Sequence, residues 1–173
     1  MDKQPNRMIP VLYGTFVMTM ISVLPFINFI NIFFCAGIIF GGIAGVMSYN
    51  RQLQGTQIEL TSKDGVMIGI LCGILSGILV SSFNFAFMLM TKHNPVDESL
   101  ALLKDISLPP EVMVQMNKFS DEFNKYGFSP TISIVSLISN LIIYPLFGMI
   151  GAILGVSIIK KRNQKIIQQQ NKF

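Results

Sequence analysis

Four apolar stretches, none of them containing Asp, Glu, Lys, Arg or His, constrain this chain more than any other feature. They run over about 8–24, 27–47, 65–90 and 131–159. A helix rises about 1.5 Å per residue, so about 20 residues cross a hydrocarbon core of roughly 30 Å. The charges gather between the stretches, mostly at 2–7, 51–64, 92–125 and 160–172. Only 13% of the 173 residues are charged, whereas about a quarter are in a soluble domain. The expected fold class is therefore all-α: a polytopic membrane helical bundle with about four transmembrane helices. It forms a single membrane domain over 1–173, with a short amphipathic helical outer loop at 92–129 between spans 3 and 4 and a basic polar tail at 160–173.

Spans 1 and 2 are joined only by Pro25 and Phe26, which predicts a tight helical hairpin. One interrupted helix over both runs would be longer than any bilayer matches. The first run is longer than the apolar core of a cleaved leader and has no small-x-small site before span 2, so it reads as a retained span. Four spans place the N-terminal segment, the 51–64 loop and the tail on one side. Those segments hold nine Lys and Arg against three Asp and Glu, a net +6, while the 92–129 loop holds four against six, a net −2. The positive-inside rule then puts both termini in the cytoplasm and the long loop outside. Lys and Arg facing anionic lipid explain the basic balance without nucleic acid.

Glycine spacing is the most specific pattern. Gly65, Gly69, Gly73 and Gly77 recur every fourth residue in span 3, Gly37, Gly41 and Gly45 do so in span 2, and span 4 carries Gly148, Gly151 and Gly155. On a helix such positions form a slowly winding groove. Lipid supplies no hydrophobic drive for helix pairing, so close backbone approach through small residues takes over that role. The grooves are expected to pack the spans together, or to pair copies of the chain. Of the polar groups at depth, Asn84 and Asn140 are the costliest to bury and need partners within the bundle or near the outer interface. The hydroxyls can bond back to helix carbonyls.

The outer loop opens with Asn94-Pro95, Asp97 and Glu98, a capping residue, a first-turn proline and carboxylates at the positive helix end. After Pro109-Pro110, Val112, Met116, Phe119, Phe123 and Tyr126 form one apolar stripe, which needs cover from the bundle, the bilayer surface or a partner. Gly127 and Ser129-Pro130 end that helix and cap span 4. Cys35 and Cys72 lie within spans and read as packing residues. His93 stands alone at the outer end of span 3. No nucleophile–His–acid set, metal-ligand spacing or phosphate-cradling loop is visible, so no catalytic, cofactor or metal residue is assigned and no enzyme is expected.

The stretches LPFINFINIFFCAGIIFGGIAGVMSYNRQ, IELTSKDGVMIGILCGILSGILVSSFNFAF and SIVSLISNLIIYPLFGMIGAILGVSIIKKR cover most of the chain. They resemble a bacterial family of small four-span inner-membrane proteins, a domain of unknown function. The resemblance implies a bacterial inner-membrane location and four spans, and it transfers no activity or site residue. The functional expectation is a structural or interaction protein, a scaffold or accessory, with the lipid bilayer and either a second copy or another membrane protein as partners. The alternative is a passive channel or transporter component for a small neutral solute, lined by hydroxyls and carbonyls.

Overall fold

The computed structural model of the chain describes residues 5–24, 35–91, 94–102 and 109–170. Among them every regular element is a helix: α1 (Met8–Val23), α2 (Ala36–Leu53), α3 (Ser62–Thr91), α4 (Pro95–Leu102), α5 (Pro110–Tyr126) and α6 (Pro130–Gln170). Two stretches, Ser62–Met90 and Pro130–Lys165, are long and apolar enough to cross a membrane, and α1 is a shorter apolar helix.

Local chemistry explains several helix ends. Thr61 and Asp64 form a reciprocal cap at the start of α3. The Asp64 carboxylate accepts the Thr61 N–H (3.1 Å) and hydroxyl (2.6 Å), and the Thr61 hydroxyl accepts the Asp64 N–H (3.2 Å). At the end of α5, Gly127 takes the left-handed conformation (φ 77°) that closes a helix without a Cβ clash, its N–H donating to the Phe123 carbonyl. The second apolar run behaves differently from expectation. Its residues 27–34 lie outside the described residues, the helix begins at Ala36 after left-handed Cys35 (φ 54°), and it continues past Met47 to Leu53. α6 extends past the apolar span that ends near Ile159, as a basic, Gln-rich tail at the end of a span would. It carries the basic tail as helix to Gln170, because Lys, Arg and Gln are all good helix formers.

The chain divides into two compact units, one built from Met1–Val80 and Asn140–Phe173, the other from Ser81–Ser139. The division falls where the glycine column of α3 ends, just beyond Gly77. In the first unit α1 packs on α2, running antiparallel to it: Gly45 approaches the Pro10 carbonyl and Gly41 approaches Met18. α3 and α6 are also antiparallel, since Gly65, Gly69, Gly73 and Gly77 meet Val156, Gly148, Pro145 and Asn140 in turn. α2 is parallel to α6, with Gly151 against Ile39 and Gly155 against Ile43. α1 is parallel to α3, with Arg7 bonded to Asp64 and Ser76 to Thr15. Met18, Val46, Tyr49, Ile68, Cys72, Ala152 and Val156 belong to the core between these helices.

In the second unit α4 packs on α5. Asn94 caps α4 by accepting the Val96 N–H, and its amide donates to Asp97 (2.8 Å) and to Ser120 of α5 (3.3 Å). The Ser120 hydroxyl donates to Asp97 at 2.6 Å, and Val96 and Phe123 are buried. Phe85 and Phe128 meet edge to face at 5.3 Å.

Candidate functional site

The glycine columns sit where helices come closest. A Cβ on Gly69 would stand 2.5 Å from the Gly148 carbonyl oxygen and 2.8 Å from the Ala152 Cβ. One on Gly73 would stand 2.5 Å from the Pro145 nitrogen and 2.6 Å from the Tyr144 carbonyl carbon, and one on Gly77 would lie 2.9 Å from the Asn140 carbonyl oxygen. Gly148 faces back onto Gly69 (2.7 Å), and Gly65 faces a Val156 methyl at 2.7 Å. On α2, Gly41 is filled by Met18, while Gly45 meets Ile68 (3.2 Å) and Cys72 (3.3 Å). Gly151 lies against the Ile39 backbone, Gly155 is 3.3 Å from the Ile43 Cα, and Gly37 is buried. Two glycines outside the expected set join these contacts: Gly42 packs on Gly148 and Ala152, and Gly14 on Cys72 and Gly41. Gly42 was visible beside the α2 column. Gly14 had no glycine at four-residue spacing to mark it.

Hydroxyls supply the polar contacts of the same unit. The Thr15 hydroxyl donates to the Cys72 carbonyl (3.5 Å), the Cys72 thiol to the Val11 carbonyl (3.3 Å) and the Ser76 hydroxyl to the Thr15 carbonyl (3.2 Å). All three bonds join α1 to α3, so these side chains tie helix to helix rather than line open space. Thr19 is buried, and its hydroxyl has no hydrogen-bond partner among the described residues.

Large apolar side chains cover the outward faces of these helices, while small residues lie among the core side chains at their contacts. α1 buries Gly14, Thr15, Thr19 and Ser22 while exposing Met8 (61%), Leu12 (56%) and Phe16 (61%). α3 buries Gly69, Gly73, Ser76 and Gly77 while exposing Leu71, Leu75, Ile78 and Leu79. α6 buries Gly148, Gly151, Ala152 and Gly155 while exposing Leu146, Ile150, Leu154 and Ile158. A water-facing surface of this kind would be strongly unfavourable, at about 25 cal/mol per Å² of apolar area left exposed.

At one end of this unit Arg7 bridges α1 to α3. Its guanidinium donates to Asp64 at 2.8 Å and to the Met67 sulfur at 2.8 Å. Sequence reasoning missed this clamp. The Thr-x-x-Asp cap was readable, but its cation lies 57 residues away.

In the second unit, Glu122 of α5 accepts the Ser129 hydroxyl (2.6 Å), the Thr131 hydroxyl (2.7 Å) and the Thr131 N–H (3.2 Å). Those hydrogen bonds, from Ser129 first and then Thr131, hold the Glu122 carboxyl below its ordinary pKa, with a smaller contribution from Lys118. Ser129 in turn accepts the Ile132 N–H at 3.2 Å. Serine and glutamate together cap α6, with a carboxylate at its positive end.

The α5 stripe is unevenly covered: Phe123 is buried, Met116 and Phe119 are half-buried, and Val112 and Tyr126 are exposed. Asn84 is exposed within the second unit, and Asn140 is half-buried within the first. Among the described residues no group of three or more His, Cys, Asp or Glu side chains is placed to hold a metal.

No family model matches this chain, and no curated protein and no solved structure was found to match it.

Proposed function

We propose that the chain is a multi-pass protein of the bacterial inner membrane, in which α1, α2, α3 and α6 form a four-span bundle with both termini cytoplasmic. Its role in this reading is that of a structural or interaction protein, a scaffold or accessory that presents the helices of residues 92–129 on the outer side. The observation that carries it is the apolar surface, with large aliphatic side chains outward and Gly, Ser and Thr among the residues packed between helices. That arrangement suits lipid, where association depends on close packing and hydrogen bonds. The alternating helix directions support four spans. The α2 and α6 directions and the Arg7–Asp64 pair bring Arg7, Arg51, Lys63 and Lys160–Arg162 to one end of the first unit, as the positive-inside rule requires of a cytoplasmic face.

The channel alternative has one observation on its side, the buried Thr19 hydroxyl, which has no partner among the described residues. A single hydroxyl is not a conduit, and Thr15, Cys72 and Ser76 are already bonded to neighbouring backbone. The scaffold reading is therefore favoured.

Carbonate extraction and thiol labelling test it, in a variant whose Cys35 and Cys72 are replaced. The protein should stay in the carbonate pellet. A membrane-impermeant maleimide should label Asp121→Cys and spare Lys165→Cys in intact cells. Release into carbonate, or the opposite labelling, would overturn the model.

A further inference from the structure

We infer that the cytoplasmic ends of α2 and α6 form a binding site for the phosphate group of an anionic phospholipid. The inference rests on the membrane reading above. Two adjoining clefts open there, of 230 Å³ and 570 Å³, and share Asn50, Gln54, Ile159 and Asn163. The smaller is also lined by Met47, Arg51 and Arg162. Its composition is that of a headgroup site: two guanidiniums and three amide side chains, with Met47 and Ile159 marking the level where the apolar runs end.

Close packing creates this juxtaposition. Gly151 on Ile39 and Gly155 on Ile43 lock α2 and α6 side by side in parallel. Continuing the same register by two turns brings Arg51, in the last turn of α2, level with Arg162 and Asn163. Neither arginine has an ion-pair partner among the described residues, and the smaller cleft contains no carboxylate. The larger adds Lys160 against Glu59, which leaves the combined lining cationic. Two like charges held on one cleft repel each other until an anion enters, and the planar fork of arginine suits a phosphate oxygen pair. A soluble phosphate offers the same oxygens. The lipid is favoured because the cleft sits at the boundary of the apolar helices, where a headgroup stands and Met47 and Ile159 can meet its glycerol and upper acyl carbons.

The test uses full-length protein in mild detergent, titrated with phosphatidylglycerol or phosphatidylcholine and read by native mass spectrometry, with 10 mM inorganic phosphate as a competing arm. Phosphatidylglycerol should bind in preference to phosphatidylcholine. R51Q/R162Q should weaken it about tenfold or more, and K63Q/K165Q, which removes the same charge outside the cleft, should change it less than twofold. Circular dichroism should show both variants as helical as the parent. Equal loss in the two variants would mean diffuse charge attraction and overturn the site. Displacement of the lipid by inorganic phosphate would identify a soluble anion as the occupant and overturn the lipid assignment. Absence of any phosphatidylglycerol preference in protein that resists carbonate extraction would overturn the site while leaving the membrane reading standing. Release by carbonate would overturn both.

Discussion

Replacing Gly73 with alanine adds one methyl group at the tightest helix contact of α3, and the structure sets the size of its effect. The new carbon would stand 2.5 Å from the Pro145 nitrogen and 2.6 Å from the Tyr144 carbonyl carbon, where non-bonded carbons settle at about 3.5–4.0 Å. Both neighbours are backbone, so no rotamer change relieves the overlap and α6 must retreat by about 1 Å along this stretch. Overpacking against backbone that cannot rotate away falls in the upper part of the usual range, about 2–3 kcal/mol. The helix-propensity gain of alanine over glycine, about 0.8–1.0 kcal/mol, offsets part of it. The net loss is about 1–2 kcal/mol, or a fall in Tm of roughly 2–8 °C for a chain of this size. Gly155→Ala is the matched comparison. Its methyl would meet Ile43 Cα at 3.3 Å and Val46 Cβ at 3.4 Å, an encroachment of a few tenths of an ångström. The propensity gain should offset that and leave Tm within about 2 °C. Thermal unfolding of the purified variants in one detergent, followed by circular dichroism at 222 nm, gives the ranking. A Gly73→Ala protein as stable as the parent, or a larger loss at Gly155 than at Gly73, would refute the contact argument.

Three further outcomes are expected. In a double-mutant cycle of Arg7→Ala and Asp64→Ala, unfolding should give a coupling energy of about 1 kcal/mol, because the two side chains are 27% and 12% exposed and partly screened; additive losses would mean the clamp contributes nothing. Since the Glu122 carboxyl is held below its ordinary value of 4.5 by Ser129 and Thr131, its stabilisation of the α6 start is fully present above that value and is lost as pH falls through the lowered one. Amide exchange at residues 131–133, corrected for intrinsic rate, should show protection dropping between pH 6 and pH 3 in the parent, while Glu122→Gln should be less protected at pH 6 and nearly flat with pH. Phe119→Asp, on the half-covered part of the α5 stripe, should lower stability if the stripe docks within its own chain and abolish co-purification of a partner if it docks outside; an unchanged protein on both readouts would end its role as an interaction element.

The sequence by itself determined the properties that depend on residues a few positions apart. Uncharged apolar runs and their lengths indicated helices, and α3 and α6 are long apolar helices. Asn94, Gly127 and Ser129 marked helix ends because capping is satisfied within one turn. The four-residue glycine spacing was likewise plain, since it follows from helical geometry alone. Only the tertiary structure decided which surfaces meet. A glycine column looks the same whether it faces lipid or another helix, and its partner depends on register between segments far apart in the chain. Register placed Gly73 on Pro145, made Gly14 and Gly42 part of the packing, and joined Arg7 to Asp64. It also carried the ends of α2 and α6 into step, so that Arg51 and Arg162 line one cleft. Charge counting had treated those two arginines only as part of a basic side, because a sum of charges contains no distances.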